Sequence, residues 1–187
     1  MYLLVGIGND DDEYRETFHN LGQRAAMEWR VGRTIETTAE YLDPDCYEAL
    51  TLVGSGDNRD MVISCINNSY MNNCGEFIKE KMEYWGVDPG HLIVLYDDLD
   101  MMAGEYWLRP YGHLNKSKHK GLKSIAKALD STNFWCAGIG INQEGLKAPR
   151  KQYVLSTIPE DLLKSKLIPA ISHLLTRMEA RIALQKL

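Results

Sequence analysis

Four polar side chains stand where an α/β sheet collects its chemistry, at strand ends and helix starts. Asn9 follows a first apolar run, His19 lies in the segment after it, Asn72 falls at a second helix start, and Asp97 ends a third apolar run. An imidazole titrates near neutrality and can take a proton from water, while a carboxylate on its other nitrogen fixes the tautomer and stabilises the imidazolium. Two amides can position a carbonyl, a water or a developing oxyanion. The set supports direct hydrolysis by an activated water. No GxSxG elbow, HExxH pair or Walker loop is present, so the sequence signals no serine nucleophile, zinc protease or P-loop chemistry.

The elements that must position these groups follow from periodicity. YLLVGIG reads as a strand buried on both faces. Asp10, Asp11 and Asp12 are N-cap candidates for a helix from about Glu13 to Arg30, with Tyr14, Phe18, Leu21, Ala25 and Trp29 on one stripe and His19 about two turns in. Strand-like pieces at Thr37 to Leu42 and Tyr47 to Val53 precede a Gly54-Ser55-Gly56-Asp57-Asn58 turn and a stronger strand, Asp60 to Asn67. Ser69 is a cap candidate for a helix carrying Tyr70, Cys74, Phe77, Ile78, Met82 and Trp85 on one face and ending at Gly86. A buried strand then runs into Asp97, Asp98 and Asp100, and Gly104 turns the chain into EYWLRP, read as antiparallel. A polar loop, a short helix around Leu122 to Leu129 and the strand FWCAGIGI follow. Pro159 suits the first turn of a helical C-terminal segment that Pro169 kinks or divides. Strands alternating with helices predict a single-domain three-layer α/β/α sandwich over residues 1–187, with a mixed, partly parallel sheet.

Composition narrows the class. A chain of 187 residues with 44% hydrophobic and 25% charged residues can bury its own core as a soluble globular protein. No apolar run reaches the ~20 residues of a membrane helix, and no targeting signal is visible. Cys46, Cys65, Cys74 and Cys136 show neither a CxxC pair nor ligand spacing, which signals no zinc site or disulfide framework. The net charge of −5 argues against a nucleic-acid partner for the body as a whole. Its distribution qualifies that: from Tyr106 to Leu129 there is no acidic residue, while Arg109, Lys116, Lys118, Lys120, Lys123 and Lys127 are basic.

The sequence resembles the bacterial-type peptidyl-tRNA hydrolases. The residues that carry the resemblance are GIGN, Tyr14-x-x-Thr17-x-His19-Asn20-x-Gly22, Tyr70-Met71-Asn72 with Gly75, Asp97-Asp98-Leu99-Asp100, His119-x-Gly121-Leu122-Lys123-Ser124 and the GIGI strand, in that order along nearly the whole chain. The resemblance implies cleavage of the ester between a peptide and the 3′ ribose of tRNA, with His19 as general base, Asp97 as its orienting partner, Asn72 as ligand of the peptide and attacking water, and Asn9 as a contact to N-blocked substrates. It further implies substrate contacts from Tyr14, Asn20, Tyr70 and Met71, and a basic residue at Arg109; by their charge Lys116, Lys118, Lys120 and Lys123 join the substrate-binding candidates, Lys116 and Lys118 as contacts to phosphates, while Lys120 stands where the family has an Asn that helps hold water. Peptidyl-tRNA is the implied partner of a monomer in the cytoplasm or an organelle lumen, with no metal, cofactor or membrane. Phe18, Lys120 and Cys136 depart from the family pattern. They motivate an alternative, a hydrolase-like RNA-binding or assembly protein with weakened or absent catalysis.

Overall fold

Alternation along the first strand builds the molecule outward in two directions. In β1 (Tyr2–Gly6) the side chains of Tyr2 and Leu4 enter one apolar cluster and those of Leu3 and Val5 the other, all buried. A central parallel strand must be apolar on both faces because helices cover each. The computed structural model describes residues 1–30, 49–55, 58–67, 69–114 and 118–184.

The sheet has six strands in the order β2-β3-β1-β4-β6-β5. These are β2 (Ala49–Ser55), β3 (Asn58–Ile66), β4 (Leu92–Met102), β5 (Tyr106–Pro110) and β6 (Trp135–Asn142) beside β1. β3, β1, β4 and β6 are parallel, and the edge strands β2 and β5 are antiparallel to their neighbours. One face carries α1 (Leu21–Arg30) and α6 (Ile168–Ala183), packed through Trp29, Leu174 and Met178; the other carries α2 (Cys74–Trp85) and α3 (Lys120–Ala128), packed through Ile78, Met82, Leu122 and Ile125. The three-layer sandwich with a mixed sheet is thus realised. Short helices α4 (Arg150–Val154) and α5 (Glu160–Leu162) lie between β6 and α6. No helix among the described residues is long and apolar enough to cross a membrane.

Several local expectations change. The helix read from Glu13 begins only at Leu21; before it lie 3-10 turns at Asp12–Tyr14 and Phe18–Asn20, so His19 sits in the second turn and not two turns into a helix. Asp11 occupies an N-cap position without a side-chain capping bond. Likewise α2 starts at Cys74 with Asn73 at its N-cap, leaving Asn72 in the preceding turn, while the Ser69 hydroxyl bonds Asn67 Oδ1. Tyr70 is therefore 54% exposed and off the helix face. β2 and β3 pair as an antiparallel hairpin that takes Gly54, Ser55 and Asn58 of the expected turn into its strands, whereas Thr37 to Leu42 lie outside the described residues. Before Pro169, a π-helical turn at Leu163–Leu167 separates α5 from α6, which is where a residue without an N–H is tolerated.

Candidate active site

His19 reaches Asp97 because α1 begins directly on the strands. A Cβ at Gly22 would collide with the Leu95 carbonyl, so only glycine lets the helix start this close to β4. The segment before it is tied from the other side. Thr17 bridges Thr157, Phe18 N–H donates to the Ser156 carbonyl at 3.3 Å, and the buried Phe18 ring stacks on Tyr153 at 4.6 Å. Asp97 continues the row of Ile93 and Leu95 along β4 and is 2% exposed.

Two histidines meet on this carboxylate. His19 Nδ1 lies 2.9 Å and His119 Nε2 3.1 Å from the same oxygen, Asp97 Oδ1. A buried carboxylate accepts hydrogen bonds, so each of those nitrogens carries a proton. His119 is spent on both sides: its Nδ1 accepts from the Leu122 N–H as the N-cap of α3, 3.4 Å away. His19 is bound through Nδ1 alone among the described residues, and its Nε2 lone pair is the one available for a proton from water. Burial disfavours the charged form of His19, but the charge of Asp97 and its hydrogen bond outweigh that and raise its pKa above 6.5, with Lys120 opposing. Burial likewise works against ionised Asp97, yet the charges and hydrogen bonds of His19 and His119 hold its carboxyl at about 2. His19, Asp97 and His119 are also a group whose donor atoms, all within 4.8 Å of one another, suit a metal ion.

The amides form a second layer. Asn9 is held at both ends of its backbone by Asn20, whose Oδ1 accepts from Asn9 N–H at 2.9 Å and whose Nδ2 donates to Asn9 O at 2.8 Å. Asn9 Oδ1 in turn accepts the Met71 N–H at 3.0 Å. Asn67, fully buried at the end of β3, donates Nδ2 to Gly8 O and Ser69 O, and Gln23 donates to its carbonyl. The loop that carries Asn72 is thereby pinned to the loop that carries Asn9. Asn72 itself is exposed and makes no side-chain hydrogen bond among the described residues. Met71 is buried against the start of α3, where a Cβ at Gly121 would lie 2.6 Å from its sulfur and 3.2 Å from His119 Cε1.

A profile of the peptidyl-tRNA hydrolase family matches residues 3–185. The chain belongs to this family. Among its curated relatives are the peptidyl-tRNA hydrolases of Corynebacterium diphtheriae, 33% identical over 82% of this chain and 82% of the relative, and of Clostridium tetani, 35% identical over 76% of this chain and 72% of the relative. The crystal structure of the Acinetobacter baumannii peptidyl-tRNA hydrolase has the same fold, with a TM-score of 0.77 over 100% of this chain and 90% of that one at 24% identity.

In this family member the charged candidates divide by sign between different elements. Lys118, Lys120 and Lys123 are exposed at the start of α3, while Lys116 lies outside the described residues. Arg109 is exposed on β5, its guanidinium 5.2 Å from the Trp107 ring centroid, and pairs in register with the buried Cys136. Opposite in sign, Asp10, Asp11, Asp12 and Glu13 are exposed after β1, with Tyr14 half-buried beside them. The Tyr70 hydroxyl donates to Asp11 Oδ2 at 2.7 Å, which raises the tyrosine's pKa. Burial pushes the Cys74 thiol up to about 12 and that of Cys136 well above the usual value. Both remain protonated and are no nucleophiles.

The residues missed by composition and spacing are His119, Asn67 and Asp98. His119 belongs to the His119-x-Gly121-Leu122-Lys123-Ser124 motif, whose spacing alone gives it no partner. Asn67 ends an apolar strand, the same kind of place that singled out Asn9 and Asp97. Asp98 accepts from Tyr96 OH at 3.1 Å and Trp107 Nε1 at 3.0 Å and so ties β4 to β5.

Proposed function

We propose that the chain is a single-domain, monomeric esterase of the cytoplasm that hydrolyses peptidyl-tRNA, with His19, Asp97, Asn9 and Asn72 as its working set. The observation that carries this is the unequal use of the two histidines on Asp97, which leaves one basic nitrogen, His19 Nε2, for a water. Water attacks the ester carbonyl carbon while its proton passes to His19 Nε2, and the carbonyl π pair moves onto oxygen. The tetrahedral intermediate collapses by expelling the ribose 3′ oxygen, which takes the proton back from His19. The products are the N-blocked peptide acid and tRNA with a free 3′ hydroxyl. Asp97 stays ionised throughout and stabilises the transient imidazolium. Asn72, Asn9, Tyr14, Tyr70 and Met71 are proposed to face the peptide and its ester, with Asn20 acting through Asn9. Lys116, Lys118, Lys123 and Arg109 are proposed to meet phosphates, whose contribution falls with salt.

Turnover of a defined N-acetyl-aminoacyl-tRNA tests the reading. Ester hydrolysis by the wild-type chain and its loss in His19→Ala, with the fold retained by circular dichroism, are expected. Salt-dependent tRNA binding without wild-type hydrolysis would instead leave a binding protein on this fold.

A further inference from the structure

We propose that Lys120 is the electrophilic catalyst of this site, its ammonium receiving the negative charge that develops on the ester carbonyl oxygen. The proposal rests on the hydrolytic reading above and adds a role for which the hydrogen-bonded network has no other candidate of positive charge.

Lys120 is the first residue of α3. That position follows His119, which is 3.1 Å from Asp97, which is 2.9 Å from His19. The first turn of α3 contains no acidic residue, and Lys118, Lys120 and Lys123 crowd cations at the end of a helix where the peptide dipoles already present positive charge. Folding alone favours the opposite sign there. Among the described residues the Lys120 ammonium has neither an ion-pair nor a hydrogen-bond partner, and its side chain is exposed. A cation set against the helix dipole and left unpaired beside a general base is placed for an anion that arrives with the substrate or forms on it.

Two further observations favour the forming anion. The charge of Lys120 is felt at the His19 ring, where it works to lower the pKa, so the ammonium lies within electrostatic reach of the group that activates water. One of the amides that a helix start would offer to an oxyanion is turned inward here: Leu122 N–H is bound to His119 Nδ1. The Lys120 ammonium adds a full positive charge at a helix start that has already spent that amide. In the step itself, the water proton goes to His19 Nε2, the carbonyl π pair goes to oxygen, and that oxygen is met by an N–H of Lys120. Collapse of the intermediate returns the pair to the carbonyl and frees the ammonium unchanged.

The test compares wild type, Lys120→Met and Lys120→Arg on N-acetyl-aminoacyl-tRNA in single turnovers, varying enzyme concentration, pH and salt. The expected result for Lys120→Met is a saturating rate lower by about 100-fold and a half-saturating concentration within about twofold of wild type. The rate loss is the same at low and high salt, and the ascending limb of the pH–rate profile moves to higher pH because a cation near His19 has gone. Lys120→Arg recovers a large part of the rate. An unchanged saturating rate in Lys120→Met overturns the proposal. A loss that appears in half-saturation and fades with salt also overturns it, in favour of a phosphate contact. Wild-type enzyme that releases no peptide under any condition overturns the hydrolytic reading itself, and this proposal with it.

Discussion

Asp97 receives one histidine from the segment after β1 and another from the N-cap of α3, and the two segments use the same residue type for different ends. His119 is closed at both nitrogens, by Leu122 N–H on one side and Asp97 on the other. His19 is closed at Nδ1 only. Both rings are largely buried, at 10% and 15% exposure, so burial does not separate their roles. What separates them is the backbone each is mounted on. A helix start offers N–H groups that need an acceptor, and a histidine placed there is consumed by the helix. A 3-10 turn strapped by Thr157 and Ser156 has no such demand on the ring.

The largest effects should come from breaking the open side of that comparison. His19→Ala removes the proposed base, and a loss of about 10² to 10⁴ in kcat for N-acetyl-aminoacyl-tRNA is expected. An equally large loss in a variant of His119 would contradict the assignment. Asp97→Asn comes next, with a loss on the order of 10² at neutral pH. The amide can donate its NH₂ to His19 Nδ1, which transfers the ring proton to Nε2 and blocks the base. The same variant also loses the carboxylate that favours the imidazolium, so its remaining activity should rise with pH through a lower inflection than the wild type's.

The sheet and its layers were legible because apolar strands and amphipathic helices are written in periods that tertiary contacts reinforce. The mounting of His19 was not. Tyr14, Phe18 and Leu21 have helical spacing, yet the chain makes 3-10 turns there because Phe18 is drawn across to Tyr153 and its N–H to Ser156, partners more than 130 residues away. Local periodicity contains no trace of such contacts. Asp97 and Asp98 show the same limit at the scale of one residue. Adjacent on β4, they point to opposite faces, and only the positions of His19, His119, Tyr96 and Trp107 decide which carboxylate meets the two histidines. Asn67 and Gln23 escaped notice because their work is done on the backbone of other loops. Those bonds depend on folding distances and not on motif spacing.

The closed histidine can be opened experimentally. His119→Asn keeps a good N-cap residue at the start of α3 while shortening the side chain away from Asp97. About a tenfold fall in kcat is expected, with thermal stability within about 1 kcal/mol of wild type. His119→Ala should add the loss of the cap, a further ~0.5–2 kcal/mol. With one donor fewer on Asp97, more of its charge acts on His19, so the inflection of the His119→Asn profile should lie above that of wild type. A profile that moves down, or a kcat that is insensitive to the substitution, would mean that the carboxylate is oriented without His119.

The smallest effect is on stability, and it divides the two histidines by pH. Asp97 titrates near 2 in the folded chain against an ordinary value of 3.8, so its ionised form adds stability that is fully present above 3.8 and is lost as pH falls through about 2. That contribution is of order 2 kcal/mol. His19 shifts the other way, above 6.5. Its contribution is complete below 6.5 and is lost as pH rises through the folded-state value. Urea midpoints measured from pH 2 to 9 should therefore be highest between these windows. His19→Ala should abolish the alkaline decline and reduce the acid one, since both windows draw on the same pair. His119→Asn should reduce the acid decline while leaving the alkaline one in place, because Asp97 keeps His19. An alkaline decline that survives His19→Ala would place its source outside the pair and remove the coupling from which the base is argued.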